Sequence, residues 1–188
     1  MAAGGVDGQA PPRRDWRHMN LTRIRMVLTA ALVLALVAGC APRRKLATER
    51  ERKEAELHAS EARFALSVKE WARAEGLFLK AAQSSPEGDY YLSLGSTRMR
   101  LGKRAEAKEA YQDALRAYED DAAREATKSE PWIKQAYVLA VLGRMDDARA
   151  IIAKAAKRFP NDAKVRAVLD PKGFEQLISG QNFKEAAL

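Results

Sequence analysis

One pattern of small and large side chains recurs along this chain at fixed intervals, and no other feature restricts the fold as much. Ala74, Phe78 and Ala81 return 33 residues later as Ala107, Tyr111 and Ala114, and 41 residues after that as Ala148, Ile152 and Ala155. The spacing i, i+4, i+7 puts each trio on one face of a helix. Gly102 breaks the chain ahead of the second trio and Gly143 ahead of the third, while Pro86 and Pro160 close the first and third units. Before Gly102, the residues Tyr91, Leu94 and Gly95 share one stripe of a preceding helix. Each unit therefore reads as two short helices folded back on each other. Such a hairpin cannot bury its own apolar face, so stacked neighbours must supply the core.

The Leu94-Gly95 pair, the Leu101-Gly102 pair at the turn and the Ala, aromatic, Ala series after it resemble the tetratricopeptide repeat, whose period of about 34 residues builds solenoids. The resemblance implies an all-α fold, a helical-hairpin solenoid of about three repeats over 55–86, 88–125 and 129–160, with a C-terminal helical cap over 161–188. The longer second offset predicts that the helix after Gly102 runs on through Glu119 to Glu125 before Ser129-Glu130-Pro131 starts the next pair. In the cap, Asn161-Asp162 starts a short helix through Leu169, Asp170-Pro171 interrupts it, and Phe174, Leu177 and Ile178 form a small apolar face. Terminal units of solenoids are atypical because one side faces water.

Ahead of the repeats the character changes twice. Residues 1–18 are rich in Gly, Ala, Pro and Arg without periodicity and read as a disordered leader or a mis-assigned start, since Met19 begins a recognisable signal. Over 19–39 a basic flank with Arg23 and Arg25 precedes an apolar run from Met26 to Ala38, interrupted only by Thr29, and small residues end it. That is the order of a secretory signal peptide, and the run is shorter than the roughly 20 residues of a membrane span. Val37-Ala38-Gly39-Cys40 resembles the bacterial lipobox, which implies cleavage before Cys40 and a covalent lipid on its thiol. Ala41 is not the Asp that retains such proteins in the inner membrane, so the resemblance implies an outer-membrane lipoprotein facing the periplasm. The competing reading is a free or buried thiol at the end of an uncleaved anchor. As the sole cysteine, Cys40 forms no internal disulfide in either case.

The formal charge of +8 overstates the processed chain, because residues 1–39 hold five Arg and two Asp, and their removal leaves 28 basic and 23 acidic side chains. Residues 40–54 form a charged tether, in which Arg43, Arg44 and Lys45 either meet anionic headgroups or simply lead a solvated segment into the first helix. Basic residues elsewhere alternate with acids along helix faces and form no stripe with stacking aromatics, which argues against a nucleic-acid partner.

Little in the sequence supports catalysis. His58 is the one histidine outside the leader and has no His or Cys partner for a metal, and there is no Gly-rich phosphate loop. Asp146 and Asp147 follow Gly143 directly and fit a helix start, where the dipole favours acids. The chain is expected to be no enzyme and to need no cofactor beyond the lipid on Cys40.

The first helices of the repeats offer a second stripe instead. In repeat two it is Leu92, Ser96 and Met99, followed by Arg100; in repeat three it is Ile133, Tyr137 and Ala140, with Val141 beside it; in repeat one it is Ala59, Arg63 and Leu66. The apolar members suggest a groove for an extended or helical segment of a protein partner, with Arg63 and Arg100 pairing with its acids. Alternatively the stripe is covered by the cap or by a second copy. Tetratricopeptide proteins that clamp a terminal carboxylate use Lys and Asn, whereas Ala59, Arg63, Ser93, Glu130 and Lys134 stand at the corresponding positions. The expected function is a lipid-anchored scaffold that holds a protein partner at the envelope membrane and aids assembly of an envelope complex, of the kind that builds type IV pilus secretins. The alternative is a regulatory partner of an envelope enzyme such as a cell-wall hydrolase.

Overall fold

The computed structural model describes residues 46–188, and every regular element among them is a helix. The leader, the signal-like segment, Cys40 and Arg43 to Lys45 lie outside the described residues. The first hairpin joins α1 (Glu49–Ser67) to α2 (Trp71–Ser84), the second α3 (Gly88–Arg100) to α4 (Arg104–Arg124), and the third α5 (Glu130–Val141) to α6 (Met145–Arg158). Three short helices follow, α7 (Ala163–Leu169), α8 (Pro171–Ser179) and α9 (Gln181–Ala186). Each long helix packs chiefly on its hairpin partner, with α2 against α3 and α4 against α5 linking successive hairpins. This is an all-α hairpin solenoid. None of the helices described is long and apolar enough to cross a membrane.

α1 begins at Glu49, ahead of the expected residue 55, because Thr48 and Glu51 form a capping box. The Glu51 amide donates to Thr48 Oγ1 at 3.3 Å and the Thr48 amide donates to the Glu51 carboxylate at 2.6 Å. The second half of the tether is therefore helix. α4 runs to Arg124, as the longer offset predicts, and Asp162 and Asp170 cap α7 and α8 through their side chains.

The three hairpin turns are copies of one another. At each, the amide two residues past the C-cap returns to a carbonyl in the last turn: Glu70 to Ala65 at 2.8 Å, Lys103 to Arg98 at 2.9 Å, and Arg144 to Leu139 at 2.8 Å. The residue before that amide is left-handed in each case, at φ 61° for Lys69, 74° for Gly102 and 75° for Gly143. This is the Schellman closure, which favours glycine because a Cβ is crowded there. The first hairpin makes it with a lysine.

Packing follows from side-chain size. α1 presents Ala55, Ala59, Ala62 and Ala65 to its neighbours, all fully buried, so α2 can approach closely. The large residues Phe78, Tyr111 and Ile152 are buried at matched positions of the second helices. Across from the bulkiest stands Gly95, where even a methyl group would collide with the Tyr111 ring. Two apolar clusters result, and α4 belongs to both, giving Ala110 to the first and Ala107, Tyr111, Ala114 and Tyr118 to the second.

Polar contacts tie the hairpins together. Glu75 of α2 accepts from Arg98 Nε at 3.1 Å and from Lys103 Nζ at 2.6 Å. Burial alone would raise its pKa, but these two donors prevail and hold it below the ordinary value. The Tyr118 hydroxyl donates to Asp89 at 2.6 Å, and the buried Gln135 amide donates to the Tyr118 carbonyl at 3.1 Å. Ser129 donates to Asp162 at 2.6 Å, fixing the start of the cap against the start of α5. At the other end of the array the outer side of α1 exposes Leu57 (59%) and Phe64 (61%), as a terminal unit does.

Candidate functional site

The face formed by α3 and α5 is where the expected groove lies, and the structure sorts its predicted residues into three groups. Leu92, Ser96, Met99, Ile133 and Tyr137 are half-buried along that face. Val141 is fully buried and offers only its carbonyl there, and Ala59 is a core residue of the first hairpin, so neither side chain lines a surface. In the first hairpin Leu66 packs against the core beside it, and exposed Arg63 is paired with Glu56 of its own helix. The residues of repeats two and three come together; those of repeat one do not join them.

The groove across repeats two and three is not open. α8 folds back toward α5 and α9 lies against α3. Phe183 and Ala186 of α9 are buried in the same cluster as Tyr111 and Val138, with Leu92, Met99, Ile133 and Tyr137 packed around it. The Phe183 ring meets the Tyr137 ring edge-on, with centroids 5.8 Å apart and planes at 74°, a favoured aromatic geometry. The Tyr111 hydroxyl donates to the Ala186 carbonyl at 2.8 Å and the Leu188 amide donates to the Val141 carbonyl at 3.0 Å. Arg100 pairs with Glu185 and stacks over the Trp71 ring, 4.8 Å from its centroid. Burial, with a smaller contribution from Tyr137, pushes the Tyr111 phenol far above its ordinary pKa, so it remains a donor at any working pH. Tyr137 is raised by burial as well.

Of the two readings of this stripe, an open groove and a stripe covered by the cap, the structure shows the second; the sequence assigns 161–188 to the cap but gives its last eight residues no helix of their own. Phe183, Glu185 and Ala186 are the residues it missed. The signal for them is short: Gly180 as a break, then Phe183 and Ala186 at i and i+3.

Chemistry elsewhere is limited. Among the described residues no group of three or more His, Cys, Asp or Glu could hold a metal ion. His58 is half-buried on α1, in a shallow cleft with Glu54, Lys80 and Gln83. Asp147 pairs with Arg144 at 2.7 Å in the first turn of α6, where Asp146 also stands. A larger cleft of about 440 Å³ lies among the starts of α1, α3 and α5, lined by Arg52, Glu87, Asp89, Asp121, Glu125 and Lys134. Its charges largely answer one another, since Lys134 holds Asp89 at 2.8 Å and Glu130 at 3.3 Å and Ser85 donates to Glu87 at 2.7 Å. Lys134 is thus engaged within the protein, and Ser93 donates to the Asp89 carbonyl, so the positions of a carboxylate clamp are otherwise employed.

Residues 88–121, the whole of α3 and most of α4, match the family described as the tetratricopeptide repeat. That repeat is typically a non-catalytic protein-interaction module. No curated protein matches the chain.

Proposed function

We propose that this chain, a hairpin solenoid carrying a tetratricopeptide repeat, is a lipid-anchored scaffold that binds a protein partner at the bacterial envelope and aids assembly of an envelope complex. The observation that carries the binding part is the seating of a peptide segment, residues 181–188, across the face of α3 and α5 with an aromatic anchor, an ion pair and main-chain hydrogen bonds. A surface that holds one short segment in this way has the chemistry to hold another. What supports the anchoring part is the sequence alone, with Val37-Ala38-Gly39-Cys40 ending an apolar run behind a basic flank. Two acyl chains are what stable attachment needs. A secretin of the type IV pilus kind is the class of complex that the layout of anchor, short tether and repeats suits.

The test is metabolic labelling with a clickable palmitate in a bacterial host. Label is expected on the native chain, in the outer-membrane fraction and at a mass set by a start at Cys40, and is expected to vanish in Cys40→Ala. An unlabelled native chain that keeps its apolar run would overturn the anchor. For the binding part, Leu92→Glu with Tyr137→Ala should abolish capture of the partner while the helical circular dichroism stays, and undiminished capture would move the binding surface elsewhere.

A further inference from the structure

The segment that covers the groove is weakly self-supporting. α9 has six residues, Gln181–Ala186, well short of the roughly 12 to 15 that an isolated helix needs in water. Its link to α8 is Gly180, which has nothing within 4 Å of where a Cβ would stand, so the connection itself is not packed in place. No side-chain cap closes the start of α9. What orders it is the groove: Tyr137 against Phe183, Tyr111 and Val141 on the main chain, and Arg100 on Glu185. Arg100 and Glu185 are each about one-third exposed, although the carboxylate oxygen that meets the guanidinium is itself buried.

We propose that residues 181–188 are a displaceable internal ligand, and that the partner segment which takes their place is a short helix with an aromatic residue, an acid two positions on and a small residue three positions on. This rests on the reading that the face of α3 and α5 binds a protein segment, and adds what that segment looks like and what it must displace. The pattern follows from the three places where the groove is specific. The half-buried Tyr137 ring offers its face or edge to an aromatic ring. Arg100 stands where an acid at the second position after that ring meets it, and the guanidinium already lies over the Trp71 ring. The Tyr111 hydroxyl reaches a main-chain carbonyl only if the residue carrying it is small, as Ala186 is, since that residue is buried in the cluster around Tyr111. Because the internal segment is tethered, it competes at a high effective concentration, and the partner binds more weakly than it would to the bare groove.

The experiment uses fluorescence anisotropy of a labelled peptide with the sequence of residues 180–188. It is titrated with the native full chain, with full-chain Phe183→Ala, and with a chain ending at Ser179. The opened chains are expected to bind the peptide at least tenfold more tightly than the native one. Arg100→Glu in the Phe183→Ala chain should lose most of that binding, and a peptide with lysine in place of Glu185 should recover it. If the shortened chain fails to fold by circular dichroism, Phe183→Ala in the full chain carries the comparison. Equal affinity for native and opened chains, no binding to either, or no recovery by charge exchange overturns the proposal. So does a dimer in size-exclusion chromatography that Phe183→Ala abolishes, because the occupant would then be the segment of a second copy. The two readings fail separately: partner capture that is lost in Leu92→Glu with Tyr137→Ala but indifferent to the peptide keeps the groove and removes the internal ligand, whereas peptide binding with undiminished capture does the reverse.

Discussion

Gly95 and Gly76 are both helical glycines, and replacing each by alanine should move stability in opposite directions. At Gly76 in α2 an added Cβ meets nothing within 4 Å. The substitution there only restrains the unfolded chain and improves helix propensity, a gain of about 0.5–1 kcal/mol. Gly95→Ala has the same gain, but its Cβ would stand 2.5 Å from Tyr111 Cδ1 and closer still to Cε1. Tyr111 cannot swing aside, because it is fully buried and its hydroxyl is bonded to the Ala186 carbonyl. Overpacking of this kind costs about 1–3 kcal/mol. Since the propensity gain is common to both variants, the difference between them isolates the collision, and about 2 kcal/mol corresponds to roughly 4–8 °C in Tm for a chain of this size. Thermal and urea melts followed by far-ultraviolet circular dichroism measure it. Tyr111→Leu in the Gly95→Ala background should return part of the difference, since the ring is what is struck. If Gly95→Ala melts at or above Gly76→Ala, the close approach of α3 and α4 at this point is wrong.

The repeated turns and the interhairpin carboxylate give two further expectations. Lys69→Gly should stabilise the chain by about 0.5–1 kcal/mol in urea, because it relieves a left-handed side chain but loosens the unfolded state, and by the same balance Gly102→Ala should cost about 0.5–1 kcal/mol; a destabilised Lys69→Gly would refute the shared turn. Glu75 has a folded pKa below its ordinary 4.5, so its contribution is complete above that value and is lost as pH falls through the folded value. The stability difference between the native chain and Glu75→Gln should therefore be largest near neutral pH and shrink in acid, and a difference that does not vary with pH would remove Arg98 and Lys103 as its charge partners.

What the sequence reveals depends on how many residues carry each signal. The hairpins are legible because Ala74, Phe78 and Ala81 and their two copies repeat a size pattern that only close helix pairs require. Gly102 and Gly143 mark their turns, but Lys69 hides the equivalent turn, since a left-handed lysine has no compositional trace. Ala59 falls on the expected groove stripe yet lies in the core, because an all-alanine face reads equally well as a surface or as the tight side of a helix pair; burial by α2 decides it. α9 is faint for a different reason. Two apolar residues in six do not complete a period, and what makes Gln181–Ala186 a helix is the groove it occupies, assembled from residues far earlier in the chain.

That distance gives the contact between Tyr111 and Ala186 a meaning in time. Nearly all of the hairpin packing joins neighbours in sequence and closes only short loops, whereas this hydrogen bond closes a loop of 75 residues. Contacts between sequence neighbours form first and this one forms among the last, so folding is expected to pass through a stage in which the groove is formed and uncovered. A partner present at that stage meets no competitor; one that arrives later must wait for the segment to open.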